Sequence, residues 1–123
     1  MLTDTTFWID LLGERNRRQS GPAARFIATH RAVRFQVSVI TWGELAVGFA
    51  SAHDLALAFR GVRLLFLPQQ VAWEASRIDR EIPGQRLGEN DNWIAATARA
   101  WGLRLITRDA AFARVPRLSV VCY

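Results

Sequence analysis

Short apolar runs of strand character alternate with helix-patterned stretches along this whole chain, and that alternation leaves few folds open. Met1–Thr3 reads as a short strand and Phe35–Ile40 (Phe-Gln-Val-Ser-Val-Ile) as a β-branched one; Arg63–Leu67, Leu103–Thr107 and Leu118–Cys122 read as three more. Helical patterns fall between them, over Thr5–Leu12, Pro22–Arg31, Thr41–Ala50, Asp54–Arg60, Gln69–Ile82 and Asp91–Trp101. Pro22 opens the second of these and Gly102 closes the last. Arg15–Ser20 and Pro83–Asn90 read as loops, and Ala110–Ala113 as a short helical turn. The expectation is an α/β sandwich around a mostly parallel central sheet of four to five strands. With 123 residues, half of them apolar, residues 1–123 have material for one domain and one ordinary core.

Parallel crossover connections are right-handed, so the C-terminal ends of the strands and the starts of the following helices share one edge of such a sheet. Ligands bind at that edge. The acidic residues fall there in an instructive way. Asp4 ends the first strand, Glu44 lies in the first turn of the helix after the second, and Asp109 follows Leu103–Thr107. Asp91 opens the helix that feeds that last strand, and the roughly eight-residue loop before it can reach about 26 Å, enough to return the chain to the same edge. Four unpaired carboxylates in one cleft repel unless a cation neutralises them. Hard divalent ions such as Mg²⁺ or Mn²⁺ take oxygen ligands and share their shell with water and phosphate. The cluster therefore suits metal-assisted phosphodiester hydrolysis. Each acid also has a plainer account: Asp is a favoured helix cap, Thr41-Trp-Gly-Glu44 fits a capping box, and first-turn acids suit the helix dipole. The other seven acids (Asp10, Glu14, Asp54, Glu74, Asp79, Glu81 and Glu89) read as solvated.

The charge balance points the same way. All sixteen basic residues are arginine, giving a net charge of +5, and there is no lysine. P-loop nucleotide hydrolysis, Schiff-base chemistry and lysine-assisted phosphoaspartate sites are thereby excluded. Setting the four clustered acids aside leaves sixteen arginines against seven acids, a surplus of nine positive charges. Such a surface around an acidic hole favours a polyanionic substrate. Arg17, Arg18, Arg86 and Arg108, on loops or beside the acids, are candidate phosphate contacts. Of the five tryptophans, Trp8, Trp42, Trp73 and Trp101 read as packing residues, while Trp93, two residues from Asp91, is a candidate base-stacking group. His30 and His53 have no matching partners and read as surface residues. The single cysteine, Cys122, cannot form an internal disulfide, and no apolar run approaches the roughly 20 residues that cross a bilayer. A cytoplasmic protein without a membrane segment is expected.

The sequence around each acid carries a resemblance. Met1-Leu-Thr-Asp4-Thr-Thr-Phe-Trp-Ile-Asp-Leu-Leu12 resembles the opening of PIN-domain ribonucleases, and Val37-Ser-Val-Ile-Thr-Trp-Gly-Glu44-Leu-Ala-Val-Gly48 their second motif. Gly88-Glu-Asn-Asp91-Asn-Trp-Ile-Ala-Ala-Thr-Ala98 and Gly102-Leu-Arg-Leu-Ile-Thr-Arg-Asp109-Ala-Ala-Phe112 resemble the third and fourth. Order, spacing and coverage are those of the compact VapC-type toxins of toxin–antitoxin pairs. The resemblance implies a PIN-like α/β/α sandwich and a Mg²⁺- or Mn²⁺-dependent endoribonuclease. Asp4, Glu44, Asp91 and Asp109 would form its metal pocket, with Asp4 and Asp91 the firmest ligands and Thr107 a supporting hydroxyl. Thr6 stands where the family usually has Asn; a hydroxyl can still donate to a carboxylate but lacks the amide's reach and second partner. An RNA substrate is implied, together with a small antitoxin that wraps the toxin and enters its pocket. Phe7, Trp8, Leu12, Phe49 and Phe59 read as surplus apolar material, which places a groove for an antitoxin helix near Phe7–Leu12 and Thr41–Ala50 and a homodimer contact on a further face. Two rivals stand beside this reading. One is a non-catalytic, basic nucleic-acid-binding α/β module whose acids are only caps. The other is a phosphatase or phosphotransfer domain, which usually adds an Asp two residues after the first and a lysine; Thr6 and the missing lysine speak against it.

Overall fold

The computed structural model describes all 123 residues and builds five parallel strands in the order β3-β2-β1-β4-β5. The strands are short: β1 (Leu2–Thr3), β2 (Gln36–Ser38), β3 (Arg63–Leu65), β4 (Leu105–Ile106) and β5 (Val120–Val121). Six α-helices connect them: α1 (Thr5–Asn16), α2 (Pro22–Thr29), α3 (Val39–Ala46), α4 (Ala52–Ala58), α5 (Gln69–Glu81) and α6 (Glu89–Ala100). A 3₁₀ turn at Ala110–Arg114 precedes β5.

Successive strand residues point to opposite faces, and the sheet uses both. Leu2, Leu65 and Leu105 enter a core beneath α5 and α6 with Ile78, Ile94 and Phe112. Their neighbours on the other face, Val37 and Ile106, enter a second core beneath α1 to α4 with Phe7, Trp8, Leu11 and Phe26. Thr3, in the buried first strand, is satisfied by polar contacts: Trp8 Nε1 donates to its hydroxyl at 2.7 Å, and the hydroxyl donates to the Gln36 carbonyl at 2.9 Å. That chain ties α1 to two strands at once.

The second core takes up most of the side chains expected to be surplus apolar material. Phe7, Trp8 and Phe59 are fully covered and Leu12 and Phe49 are half-buried; all of them but Leu12 pack in this core. Phe7 alone stacks edge-on to Trp8, Phe26 and Tyr123. What α1, α3 and α4 expose instead is Ile9, Val47 and Leu57.

Element boundaries moved in physically informative ways. Strand β2 stops at Ser38, whose Oγ accepts from the Thr41 amide at 3.0 Å and starts α3 two residues before Thr41. Thr41 is thus a buried helix residue, the expected Thr41–Glu44 capping box does not form, and Glu44 lies in the second turn. The β-branched Val39-Ile-Thr41 run mimics strand but is helical, since packing overrides propensity. Helix α6 begins at Glu89 with Gly88 as its cap, so Asp91 is its third residue rather than its first. The expected acidic bystanders are not all solvated. Glu14 is buried at 4% exposure, and its two carboxylate oxygens accept from the Ala23 and Ala24 amides at 3.1 and 2.8 Å. It caps α2 from a distance. Glu74 and Glu81 clasp the buried Arg99 side chain and lock α5 to α6.

Candidate active site

Asp4 leaves the C-terminal end of β1 and is 2% exposed. Its backbone amide donates to the Ile106 carbonyl at 3.2 Å, holding it between the two central strands. One carboxylate oxygen accepts from the Phe7 amide at 2.9 Å and caps α1. The Thr6 hydroxyl lies within 2.9 Å of both oxygens, and the Thr107 hydroxyl donates to Oδ2 at 2.5 Å. Thr107 in turn accepts from the Asp109 amide at 2.9 Å, so one buried hydroxyl ties Asp4 to the backbone that carries Asp109. Asp109 is exposed and caps the 3₁₀ turn through the Ala111 amide at 2.8 Å. Asp4 and Asp109 are therefore helix caps and members of the acidic group together; the two accounts of these acids coexist.

Glu44 is held from two sides, by the Thr5 hydroxyl and by Asn90 Nδ2 at 2.8 Å. Asn90 thereby links the α3 acid to the start of α6, one residue before Asp91. Asp91 caps nothing and accepts no hydrogen bond from the protein; α6 is capped by Gly88, which has no side chain to offer.

The electrostatics show that the four acids share one field. Burial raises the Asp91 carboxyl above its ordinary range, and Asp109, Glu44 and Asp4 raise it further, in that order. Burial also raises Asp4, against the opposing hydrogen bonds from Thr107, Phe7 and Thr6, with Asp109 adding repulsion. None of the chain's ion pairs involves any of the four. Sixteen arginines leave this pocket without a cation of its own. The side chains do not close into a ready three-ligand metal site. The donor set nevertheless fits a hard divalent ion: it is all oxygen, carries up to four negative charges, and is not neutralised from within.

Arg108, adjacent to Asp109, reaches across to Asp10 on α1, with Nη1 at 3.1 Å from Oδ2. The Tyr123 hydroxyl donates to the same Asp10 oxygen at 2.7 Å, and its ring packs edge-on against Phe7. Burial, the bond to Asp10 and the nearby acids push the Tyr123 phenol well above its ordinary range. Tyr123, Asn90 and Thr5 escaped the sequence reading. Asn90 alone had a signal, its place beside Asp91. Arg86 and Trp93 lie elsewhere, along a cleft of about 460 Å³ between α5 and α6, with Ala75 and Asp79. The reason is helical geometry: two residues on an α-helix turn about 200°, so Trp93 faces away from Asp91. Two larger clefts, of about 710 and 590 Å³, lie beside Trp73 and along β3 with Trp101, and hold none of the four acids.

Comparison with known proteins identifies the family. The PIN domain family matches residues 1–118. Ribonuclease VapC4 of Mycobacterium tuberculosis is 32% identical over 96 residues, covering 69% of this chain and 74% of that protein. Among solved structures, a toxin-antitoxin complex from Klebsiella pneumoniae superposes with a TM-score of 0.74 at 29% identity, over 98% of this chain and 94% of that one. VapBC2 from Rickettsia felis, bound to a DNA fragment from its promoter, gives 0.80 at 17% identity over 98% and 96%, a likeness of fold. With the five-stranded parallel sheet and its acidic edge in place, the chain belongs to the PIN-domain family, among its VapC-type members.

Proposed function

We propose that this chain is a Mg²⁺- or Mn²⁺-dependent endoribonuclease, the toxin of a toxin–antitoxin pair, with residues 1–123 acting as one nuclease domain in the cytoplasm. The observation that carries the reading is the group of four mutually repelling carboxylates with no arginine paired to any of them. Asp4 and Asp91 would hold the ion, with Glu44 and Asp109 completing the negative pocket. A divalent ion bound there supplies an activated water and steadies the leaving oxygen of a phosphodiester. Thr107 and Thr6 fix the Asp4 carboxylate, and Thr6 fills the usual Asn place with a single hydroxyl shared between both oxygens. Asn90 and Thr5 fix Glu44.

The relative named a ribonuclease and the neighbours solved as toxin–antitoxin complexes support RNA as substrate and a small antitoxin as partner. An antitoxin arginine would give the acidic pocket the bidentate cation it lacks. Exposed Phe66 and Trp73 offer apolar surface for a second copy, away from the acids. No helix is long and apolar enough to cross a membrane. The experiment is cleavage of single-stranded RNA by the purified chain with EDTA and then with added Mn²⁺ or Mg²⁺. Cleavage that stops with EDTA and returns with metal is expected; RNA binding with no cleavage under any metal would favour the non-catalytic binding module.

A further inference from the structure

We infer that the arginine-rich turn between α1 and α2 docks the RNA strand next to the acidic pocket, an assignment that rests on the ribonuclease reading. Helix α1 starts at the pocket with Asp4 and ends at Arg15, Arg17 and Arg18, about 20 Å away by helical rise. Arg25 joins them on α2, its Nη1 donating to the Ser20 carbonyl at 2.6 Å across the turn. All four are exposed, and none has a carboxylate within ion-pairing distance. The local acids are already engaged. Glu14 is buried against the start of α2, and Asp10 is held by Arg108 and Tyr123. Against the buried Glu14 the turn sets four exposed arginines, a net positive charge facing outward.

Two further features make this more than a scatter of surface charge. Arg17 and Arg108 line one cleft of about 290 Å³ with Gln19, Gly21, Pro22 and the two engaged acids, Asp10 and Glu14. Arg108 is next in sequence to Asp109 and its side chain reaches Asp10 on α1, so it stands between the acidic edge and this cleft. Arg18, moreover, sits at φ +53°, where glycine is the favoured residue. The amides of Arg18 and Gln19 close the end of α1 onto the Arg15 and Glu14 carbonyls, a Schellman arrangement with arginine in the glycine place. A strained arginine at an exposed site is consistent with a role for its side chain. The geometry fits a polyanionic strand whose scissile phosphate lies at the carboxylates while neighbouring phosphates cross Arg108 and the turn. Asp10 and Tyr123 act as positioning residues for Arg108.

The test uses fluorescence anisotropy of a labelled single-stranded RNA in EDTA, at salt from about 50 to 200 mM. The triple variant Arg15→Ala/Arg17→Ala/Arg18→Gly removes three contacts while keeping the turn's backbone favourable. For single strands each phosphate contact contributes about −0.7 to the slope of log affinity against log salt, so the triple variant should flatten it by about 2. Over that salt range the wild-type affinity should fall roughly 20-fold more than the variant's. Arg60→Ala/Arg63→Ala, at the far edge of the sheet, should leave the slope near wild type. An unchanged slope in the triple variant, or an equal loss in the far-edge variant, overturns the inference. So does loss of binding to an acidic peptide such as polyglutamate while RNA binding is untouched. In each of these cases metal-dependent cleavage by the wild type would still stand, and its absence would instead remove the ribonuclease reading on which the inference depends.

Discussion

Replacing Glu14 by alanine removes the carboxylate that closes the start of α2, where Gly21 offers no side-chain cap. Two amides, of Ala23 and Ala24, lose a charged acceptor at 3.1 and 2.8 Å in a site where Glu14 is 4% exposed. Hydrogen bonds to charged groups contribute about 1.5 kcal/mol or more each, and helix caps typically about 1 kcal/mol, so the loss should be roughly 2–3 kcal/mol. At about 2.1 cal/mol/K of unfolding entropy per residue, a chain of this length loses about 4 °C of Tm per kcal/mol, hence roughly 8–12 °C. The structure makes a sharper statement through Gly21. A Cβ there would lie 2.1 Å from Glu14 Oε1 and 2.3 Å from Cδ, although the backbone at φ −86° suits any residue. Gly21→Ala should therefore expel the carboxylate and cost nearly as much as Glu14→Ala. The two losses should not add, and a double-mutant cycle by calorimetry should give a coupling of about 2 kcal/mol. Additive costs, within about 0.5 kcal/mol, would refute the account of why residue 21 is glycine.

Arg18→Gly relieves a left-handed backbone and should stabilise the chain by about 0.5–1 kcal/mol, read as a Tm rise of roughly 2–4 °C. Thr107→Val deletes both the donor to Asp4 and the acceptor for the Asp109 amide; a loss of about 2 kcal/mol in denaturant melts and at least a tenfold drop in RNA cleavage are expected. Burial and repulsion keep Asp4 and Asp91 protonated above their ordinary 3.8, so the folded state binds more protons than the unfolded one just above that pH, and their contribution to stability falls as pH rises. Metal-free Asp91→Asn should therefore gain Tm over wild type, by a margin that widens as pH rises above the ordinary carboxylate range and levels once Asp91 is ionised; a margin that does not change with pH would contradict the raised carboxyl.

The frame and the four acids were legible because they follow from local rules. Gly102, at φ +60° after α6, ends that helix as a glycine after an alanine-rich stretch should. Arg18 does the same for α1, but no propensity rule names an arginine, and the helix ran four residues past the expected Leu12. Asp4, Asp91 and Asp109 reached one edge as strand and helix ends must in a parallel sheet. Glu44 reached it too, though Ser38 rather than Thr41 starts its helix. Illegible were contacts between residues far apart in sequence: Glu14 to α2, Asn90 to Glu44, and Tyr123 to Asp10 across 113 positions. Amphipathic patterning also could not tell Phe7 or Phe59 in a core from the same residues in a groove, because it shows that a face is covered and not by what.

The account stands or falls on whether the acidic group is a metal-dependent cutting site. The direct measurement is the initial rate of single-stranded RNA cleavage against Mn²⁺ concentration, for wild type, Asp4→Asn and Asp91→Asn, each confirmed folded by circular dichroism. A rate that saturates with Mn²⁺ in the wild type and is absent from both variants is predicted. Cleavage by wild type in EDTA, or wild-type rates from either folded variant, would contradict it.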